Sequence, residues 1–230
     1  MTIDTPNIKW KSISLTHVEY PEGDLVGLGL AWCSLLPIFI LVSCGTLIAF
    51  RRDLHTIFFL IGLVVDEGLN FVLKSIIQEY RPMSRSVIFT EYGMPSSHAQ
   101  FMSFFAVYMV LFLCIRVHHN SPTGIIWKHL SCIGVLIAAL LVCYSRVYLL
   151  YHTIDQVTWG IVAGSVMGSI WFLNVHFIFS NYFPLIASWC ISEYFMVRDL
   201  TPIPNVLWFE YCSYRAEAKS RQRMINNKKL

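Results

Sequence analysis

Long apolar runs separated by short polar segments fill most of the chain. An α-helix needs roughly 20 predominantly apolar residues to cross the hydrocarbon core of a bilayer. Five runs approach this length, at residues 25–50, 56–77, 100–115, 125–142 and 157–179. A weaker run, residues 183–197, is interrupted by Glu193 and is typical of either a short span or an interfacial helix. The pattern predicts an all-α, polytopic transmembrane helix bundle with five to six membrane-embedded helices.

The composition favours the same interpretation. Hydrophobic residues occupy 56 % of the 230 positions and charged residues only 13 %, about half of the charged fraction that soluble domains carry. The net charge of +3 is small and the basic residues are not gathered with aromatic ones, which argues against nucleic acid as a partner. We predict a single membrane domain over residues 1–230. It comprises a polar segment (1–23), a helix bundle (24–180), and a short apolar stretch with a basic tail (181–230).

Lysine and arginine positions predict the orientation of the bundle, because cytoplasmic loops are enriched in these residues. With five spans, one side holds the turn at Arg51 and Arg52, the loop of residues 116–128 and the tail after the fifth span. That side carries 11 of the 17 Lys and Arg residues. We therefore expect it to be cytoplasmic, and we expect the first residues of the chain to face the lumen or the exterior.

Polar residues cluster at the span ends on the opposite, non-cytoplasmic side. Residues 74–82 follow the second span, residues 95–98 precede the third, and residues 145–152 join the fourth to the fifth. The alternation of five spans places all three segments on the same membrane face. Hydropathy does not require this convergence, which therefore indicates a site with three cations and two histidines.

These residue types suit chemistry on a phosphate ester. Lys and Arg groups stabilise the charge of the phosphoryl oxygens, and a helix N-terminus adds free backbone N–H donors. One histidine can attack phosphorus as a nucleophile while the other protonates the leaving oxygen. Neither a carboxylate cluster suited to Mg²⁺ nor a cysteine–histidine spacing suited to zinc accompanies them in the sequence. We therefore expect no metal and no organic cofactor.

The three segments resemble the motifs K-x6-R-P, P-S-G-H and S-R-x5-H-x3-D of the type 2 phosphatidic acid phosphatase superfamily. The chain reads, in the same order and with similar spacing, Lys74…Arg81-Pro82, Pro95-Ser96-Ser97-His98 and Ser145-Arg146…His152…Gln156. Two positions depart from the pattern, because Ser97 replaces a glycine and Gln156 replaces the final aspartate.

This resemblance implies a role at the phosphate for each matching polar residue. Lys74, Arg81 and Arg146 would bind phosphate oxygens. Ser96 would donate a hydrogen bond to the same group. The backbone N–H of Ser97 would also bind phosphate, with less room than a glycine leaves.

The resemblance also implies that His152 is the nucleophile, forming a phosphohistidine, and that His98 is the general acid. The family's final aspartate orients the nucleophile. Gln156 could accept the same N–H bond, although an amide stabilises a cation less than a carboxylate does. Asp155, on a different helical azimuth, is the alternative, and the sequence leaves both open. Gln156 could also form a capping box with Thr153 at the start of the fifth helix.

Three polar residues, Asp66, Glu67 and Asn70, lie inside the second span. Ionisable groups within a span are costly and usually face the bundle interior. Glu67, Asn70 and Lys74 share an i, i+3, i+7 stripe. We predict that Glu67 and Asn70 lead to the floor of the site and orient Lys74. The alternative is a polar clamp between helices.

Longer stretches resemble the branch of the superfamily that hydrolyses dolichyl diphosphate in the endoplasmic reticulum membrane. They are residues 15–21, 92–98, 145–153, 203–211 and 215–218. The resemblance implies a polyprenyl (dolichyl) diphosphate lipid as partner, a site facing the lumen, and recycling of the lipid carrier of protein N-glycosylation. Two alternatives remain. One is a phosphatase of the same superfamily acting on phosphatidate or sphingoid phosphates. The other is a non-catalytic lipid-phosphate binder or transporter.

Overall fold

The computed structural model describes residues 10–13, 18–82, 92–117, 122–203 and 205–227. The helices are α1 Leu25–Cys33, α2 Leu36–Arg51, α3 Leu54–Ile77, α4 Ser97–Leu111, α5 Pro122–Tyr148, α6 Ile154–Phe177, α7 Phe183–Ala187, α8 Cys190–Tyr194 and α9 Val206–Asn227. A π-helical segment, Phe112–Arg116, extends α4. An antiparallel pair of strands, β1 Trp10–Ile13 and β2 Val18–Pro21, precedes α1.

Within the described ranges, five helical segments are long and apolar enough to cross a membrane, which confirms the predicted polytopic bundle. They are Leu25–Arg51, Leu54–Ile77, Ser97–Arg116, Pro122–Tyr148 and Ile154–Ala187. The weaker run at residues 183–197 is not a sixth span. It forms α7 and α8, which have five residues each. A helix of that length rises only about 7.5 Å and cannot cross a bilayer.

The centre of the bundle is the contact between α4 and α6. Gly160, Gly164 and Gly168 recur every four residues along α6 and therefore share one face. A Cβ atom at Gly160 would lie 2.8 Å from the carbonyl oxygen of Ser96, and one at Gly168 would lie 2.9 Å from that of Phe104. The three glycines thus allow two backbones to touch, as small residues do in other membrane helix pairs. The close approach holds the start of α4 against the start of α6.

Apolar side chains occupy both the inside and the outside of the bundle. Leu63, Phe104 and Phe172 belong to the main buried cluster. Phe71 and Leu140 remain 67 % and 65 % exposed, although both lie within spans. A helix that is apolar on all sides is typical of a membrane span, in which the outer face contacts lipid.

The polar segment before the first span contains an element that the hydrophobic pattern does not predict. Residues 1–9 and 14–17 lie outside the described ranges. The two described strands of this segment, β1 and β2, pair with each other. The backbone N–H of Glu19 donates to the hydroxyl of Tyr151 at 2.9 Å. Asp24 caps α1 and accepts a hydrogen bond from the hydroxyl of Tyr148 at 2.8 Å. The strand pair is therefore attached to the turn between α5 and α6.

The basic C-terminal tail is helical and largely exposed. α9 spans 22 residues, and its side chains from Arg215 onward are exposed. Arg51 and Glu210 form an ion pair at 2.9 Å, and the backbones of Asp53 and Arg198 pair in a short bridge. These contacts hold the tail at the Arg51–Arg52 end of the bundle.

Candidate active site

The ends of four spans meet at one end of the bundle. Lys74 lies in the last turn of α3, which ends at Gln78 with a left-handed φ of 52°. Ser96 precedes the first turn of α4. Arg146 lies in the last turn of α5, and His152 lies in the turn that leads into α6. The three sequence segments therefore come together in space.

A buried hydrogen-bond network fixes the end of α3 against the start of α4. The side-chain amide of Asn70 donates to Gln100 Oε1 at 2.8 Å and to the carbonyl oxygen of Pro95 at 3.4 Å. Gln100 Nε2 in turn donates to the carboxylate and to the backbone carbonyl of Asp66, both at 2.9 Å. Asn70 thus lies under the site. It also links α3 and α4. Asn70 therefore lies at the floor of the site, as predicted, and forms a polar clamp between the helices, as the alternative had it.

The prediction that Glu67 lies at the floor of the site is wrong. Glu67 is exposed on the outside of α3, whereas Asp66, Asn70 and Lys74 are buried at i, i+4, i+8. The predicted and observed stripes share Asn70 and Lys74 and differ only in their first member. Positions 66 and 67 are about 100° apart around the helix axis. Asp66 takes the buried position because Gln100 supplies its hydrogen-bond partner.

The cationic groups surround the two histidines. Lys74 Nζ lies 3.3 Å from Ser97 Oγ. Arg146 is 5 % exposed, and its guanidinium carbon lies 4.1 Å above the ring centre of Tyr151. The charges of Lys74, Arg81 and Arg146 all act electrostatically on both histidines. The site is therefore strongly positive and suited to a phosphate or diphosphate group.

Both ring nitrogens of His152 have defined neighbours. Nδ1 lies 3.1 Å from Gln156 Oε1, and Nε2 lies 3.5 Å from Arg81 Nη1. Because an amide oxygen and a guanidinium have fixed polarity, Nδ1 carries the proton and the lone pair of Nε2 faces the cationic pocket. His152 is 2 % exposed, which keeps the ring in this orientation.

The structure distinguishes the two candidates for orienting His152. Gln156 is buried and contacts the ring, whereas Asp155 points outward and is exposed. Of the two alternatives that the sequence leaves open, Asp155 is therefore not the residue beside the ring, because residue 155 leaves the helix on a different azimuth. Gln156 also completes the capping box with Thr153. Its side chain therefore serves both helix initiation and ring orientation.

Ser96 and His98 place the first turn of α4 in the site. The N–H of Ser96 donates to the carbonyl oxygen of Gln156 at 3.0 Å, and the buried hydroxyl of Ser96 has no hydrogen-bond partner among the described residues. His98 is half-buried beside the cationic groups. The first N–H groups of a helix have no intrahelical partners, so this turn offers donors to an anion.

Several residues of the site are not predictable from the motifs. Gln100 contacts Asn70 beneath the site, 30 positions away along the chain, and Tyr151 lies under the nearby guanidinium of Arg146. Glu79 lies between Lys74 and Arg81 in the first motif but is not one of its defining residues. Among the described residues, no group of three His, Cys, Asp or Glu side chains is arranged to ligate a metal ion.

His152 should remain neutral well into the acidic range. Burial lowers the pKa of His152 well below its usual value of 6.5, and Arg146 and Arg81 act in the same direction. The hydrogen bond that His152 Nδ1–H donates to Gln156 Oε1 opposes them. Since protonation requires the pH to fall through the lowered pKa, we expect a neutral ring protonated at Nδ1 at pH 6.5. NMR titration of ¹⁵N-histidine-labelled protein in detergent measures this, with the His152→Ala spectrum identifying the signal. A midpoint at or above pH 6.5 would contradict the expectation.

Comparison with known proteins shows which family has this fold and these motifs. A family model described as the PAP2 superfamily matches residues 55–180, which include all three motifs. The chain belongs to this superfamily, and the resemblance seen in the sequence is confirmed. With its five apolar spans, it is a multi-pass membrane protein of the phosphatase class that the superfamily defines.

Individual relatives cover nearly the whole chain. "Dolichyldiphosphatase 1" of Mus musculus is 53 % identical over 224 residues, covering 95 % of this chain and 94 % of the relative. The protein of the same name from Homo sapiens is 50 % identical over the same shares. "Lipid phosphate phosphatase gamma" of Arabidopsis thaliana is 38 % identical, covering 91 % of this chain and 93 % of the relative.

A solved structure shares the fold. The crystal structure of a transmembrane PAP2 type phosphatidylglycerolphosphate phosphatase from Bacillus subtilis superposes with a TM-score of 0.55. The match covers 66 % of this chain and 78 % of that one, at 22 % identity. At this identity the likeness supports the helix-bundle architecture alone.

Proposed function

We propose that the protein hydrolyses dolichyl diphosphate to dolichyl phosphate and inorganic phosphate. The observation that carries the proposal is the orientation of His152, whose Nε2 lies 3.5 Å from Arg81 Nη1 while its Nδ1 lies against Gln156 Oε1. The charges of Lys74 and Arg146 act on the same ring. The relatives that share about half of their residues with this chain bear the name dolichyldiphosphatase, which supports the choice of substrate.

In the proposed mechanism, Nε2 of His152 attacks the terminal phosphorus, and the bond from that phosphorus to the bridging oxygen breaks. His98 gives its proton to the bridging oxygen, so dolichyl phosphate leaves. Neutral His98 then takes a proton from water, whose oxygen attacks the phosphohistidine and releases phosphate. His152 returns to its starting state. Lys74, Arg81, Arg146 and Ser96 stabilise the phosphoryl oxygens throughout.

No metal takes part in this proposal, because the arginines and the lysine supply the positive charge that Mg²⁺ provides in other phosphoryl-transfer enzymes. We place the site on the lumenal face of the endoplasmic reticulum membrane, on the basis of the Lys and Arg distribution between the two faces. There the reaction would return the lipid carrier of N-glycosylation to its monophosphate form.

The second candidate activity is hydrolysis of phosphatidate or sphingoid phosphates. The likeness to the lipid phosphate phosphatase of A. thaliana favours it. Both activities use the same phosphate site and differ in the group that leaves. A lipid phosphate leaves in one case and a lipid alcohol in the other.

Phosphate release from the two lipids separates these activities. We expect purified protein in detergent to hydrolyse dolichyl diphosphate at least about tenfold faster than phosphatidate, expressed as kcat/KM, because the leaving phosphate is the better leaving group. Activity should persist in excess EDTA and should be inhibited by vanadate. Faster hydrolysis of phosphatidate would replace the proposed substrate with the second candidate. Loss of activity in EDTA, restored by a divalent cation, would overturn the metal-free mechanism.

A further inference from the structure

We infer that Glu79 is a positioning residue that holds the amide of Gln156 in one orientation and thereby keeps the proton of His152 on Nδ1. The inference rests on the proposed role of His152 as nucleophile. Glu79 acts on His152 through Gln156. Together, Glu79 and Gln156 take the place of the aspartate that the superfamily motif has at position 156.

The contacts of Gln156 leave its amide only one orientation. Its Nε2 donates to Glu79 Oε1 and to the carbonyl oxygen of Tyr80, both at 2.9 Å. Its Oε1 accepts from His152 Nδ1 at 3.1 Å and from the N–H of Thr153 at 3.4 Å. Each donor therefore meets an acceptor, and the amide oxygen meets two donors.

A reversed amide would create conflicts at both ends. Oxygen would then face the Glu79 carboxylate and the Tyr80 carbonyl, neither of which has a proton to give. The NH₂ group would face His152 Nδ1 and shift the ring proton to Nε2. That tautomer has no lone pair on the nitrogen that faces the cationic pocket. An aspartate at position 156 would need no such control, because both of its oxygens accept.

Backbone contacts fix the position of Glu79 in the chain, although its side chain is largely exposed. The left-handed residue Gln78 caps the C-terminal end of α3. The N–H of Gly93 donates to the carbonyl oxygen of Glu79 at 2.7 Å, and Tyr80 forms a backbone bridge with Tyr92. A Cβ atom at Gly93 would lie 2.6 Å from Gln156 Oε1, so a larger residue there would displace the amide of Gln156 from its present position.

Glu79 also supplies a negative charge. Attack by His152 places a positive charge on the imidazole ring, and the amide of Gln156 transmits polarisation from the carboxylate to Nδ1–H. The Glu79–Gln156–His152 chain thus resembles a carboxylate–histidine pair with an amide inserted. At metal-binding histidines, removal of such an outer hydrogen-bond partner typically reduces activity by about 10–100-fold, and we expect a loss on the lower end of that scale for Glu79.

Exchanging the carboxylate of Glu79 and the amide of Gln156, singly and together, tests the inference. Glu79→Gln should lower kcat by about tenfold with little change in KM, since it permits the reversed amide. Gln156→Glu should lower kcat further and shift the optimum to lower pH, because two carboxylates then meet and one must be protonated. The double variant Glu79→Gln/Gln156→Glu should recover at least about tenfold over Gln156→Glu, because a carboxylate again accepts from His152 and the repulsion is gone. Glu22→Gln removes an exposed charge from the same membrane face and should behave as wild type.

Two results would overturn the inference. One is a Glu79→Gln variant within about twofold of wild type in kcat at every pH, and the other is a double variant no better than Gln156→Glu. The ¹⁵N shifts of His152 test the same point without substrate. Wild type should show only the neutral tautomer protonated at Nδ1, whereas Glu79→Gln should show a mixture of the Nδ1-protonated and Nε2-protonated tautomers. If wild-type protein fails to cleave dolichyl diphosphate, the proposed function fails, while the tautomer measurement still tests Glu79.

Discussion

Replacing His152 with alanine should reduce kcat on dolichyl diphosphate by at least about 10⁴-fold, since removing a nucleophile takes away the covalent route altogether. Wild-type protein quenched during turnover of substrate labelled in the terminal phosphate should carry an acid-labile phosphoryl group. His152→Ala should carry none. EDTA should leave the labelling unchanged, and vanadate should block it.

His129 provides the matched control, because it is exposed near the opposite end of α5. His129→Ala should label and turn over like wild type. His152→Asn retains a polar side chain beside Gln156, so a folded but inactive His152→Asn protein separates loss of the nucleophile from loss of packing. A His152 variant that kept more than about 1 % of wild-type activity, or that still labelled, would exclude His152 as the nucleophile.

Replacing Gly164 with alanine should produce the largest loss of stability of any single methyl addition in the described bundle. The new Cβ atom would collide with the carbonyl oxygen of Gln100, and would lie 2.8 Å from its carbonyl carbon and 3.0 Å from its Cα. These are backbone atoms of α4, so no side-chain rotation relieves the overlap. We expect a destabilisation of about 3 kcal/mol or more, and a thermal midpoint lower by on the order of 10 °C. Catalysis should fall as well, because Ser96 and His98 move with α4.

Gly134 in α5 is the control for this change. A Cβ atom there would meet no atom of the described part of the chain within 4 Å. Alanine is more favourable than glycine in a helix interior by about 0.5–1 kcal/mol, so Gly134→Ala should be unchanged or slightly more stable. Circular dichroism and size-exclusion chromatography in one detergent measure both variants. Equal thermal midpoints for Gly164→Ala and Gly134→Ala would show that α4 and α6 do not approach as closely as described.

The site could be predicted from the sequence where residue type itself limits the chemistry. Lys74, Arg146 and His152 stand out because such groups are rare beside apolar spans, and alternation of the spans places them on one face. The number of spans follows from length and hydropathy in the same way. The run at residues 183–197 was ambiguous because its length and single charge fit two structures.

The parts that could not be predicted depend on helix azimuth or on distant partners. Asp66 and Glu67 are adjacent and equally acidic, and the choice between them is made by Gln100, 34 positions away from Asp66. Gln156 and Asp155 differ in the same way. Glu79 and Gln156 are 77 positions apart, and no local pattern connects them. By contrast, the glycine repeat of α6 is a recognisable sequence signal for close helix contact.

The strand pair before α1 has a consequence for how the protein responds to heat or detergent. Tyr151, on which the Arg146 guanidinium lies, is held by the backbone of Glu19 and packs with Val18 and Tyr20. An isolated two-stranded ribbon is only marginally stable in water. Warming would therefore loosen the β1–β2 pair and Tyr151 before the spans separate. Phosphate affinity would then decline while the helical circular dichroism signal stayed unchanged. The temperature range for catalysis is accordingly narrower than the one that a melting curve of the bundle suggests.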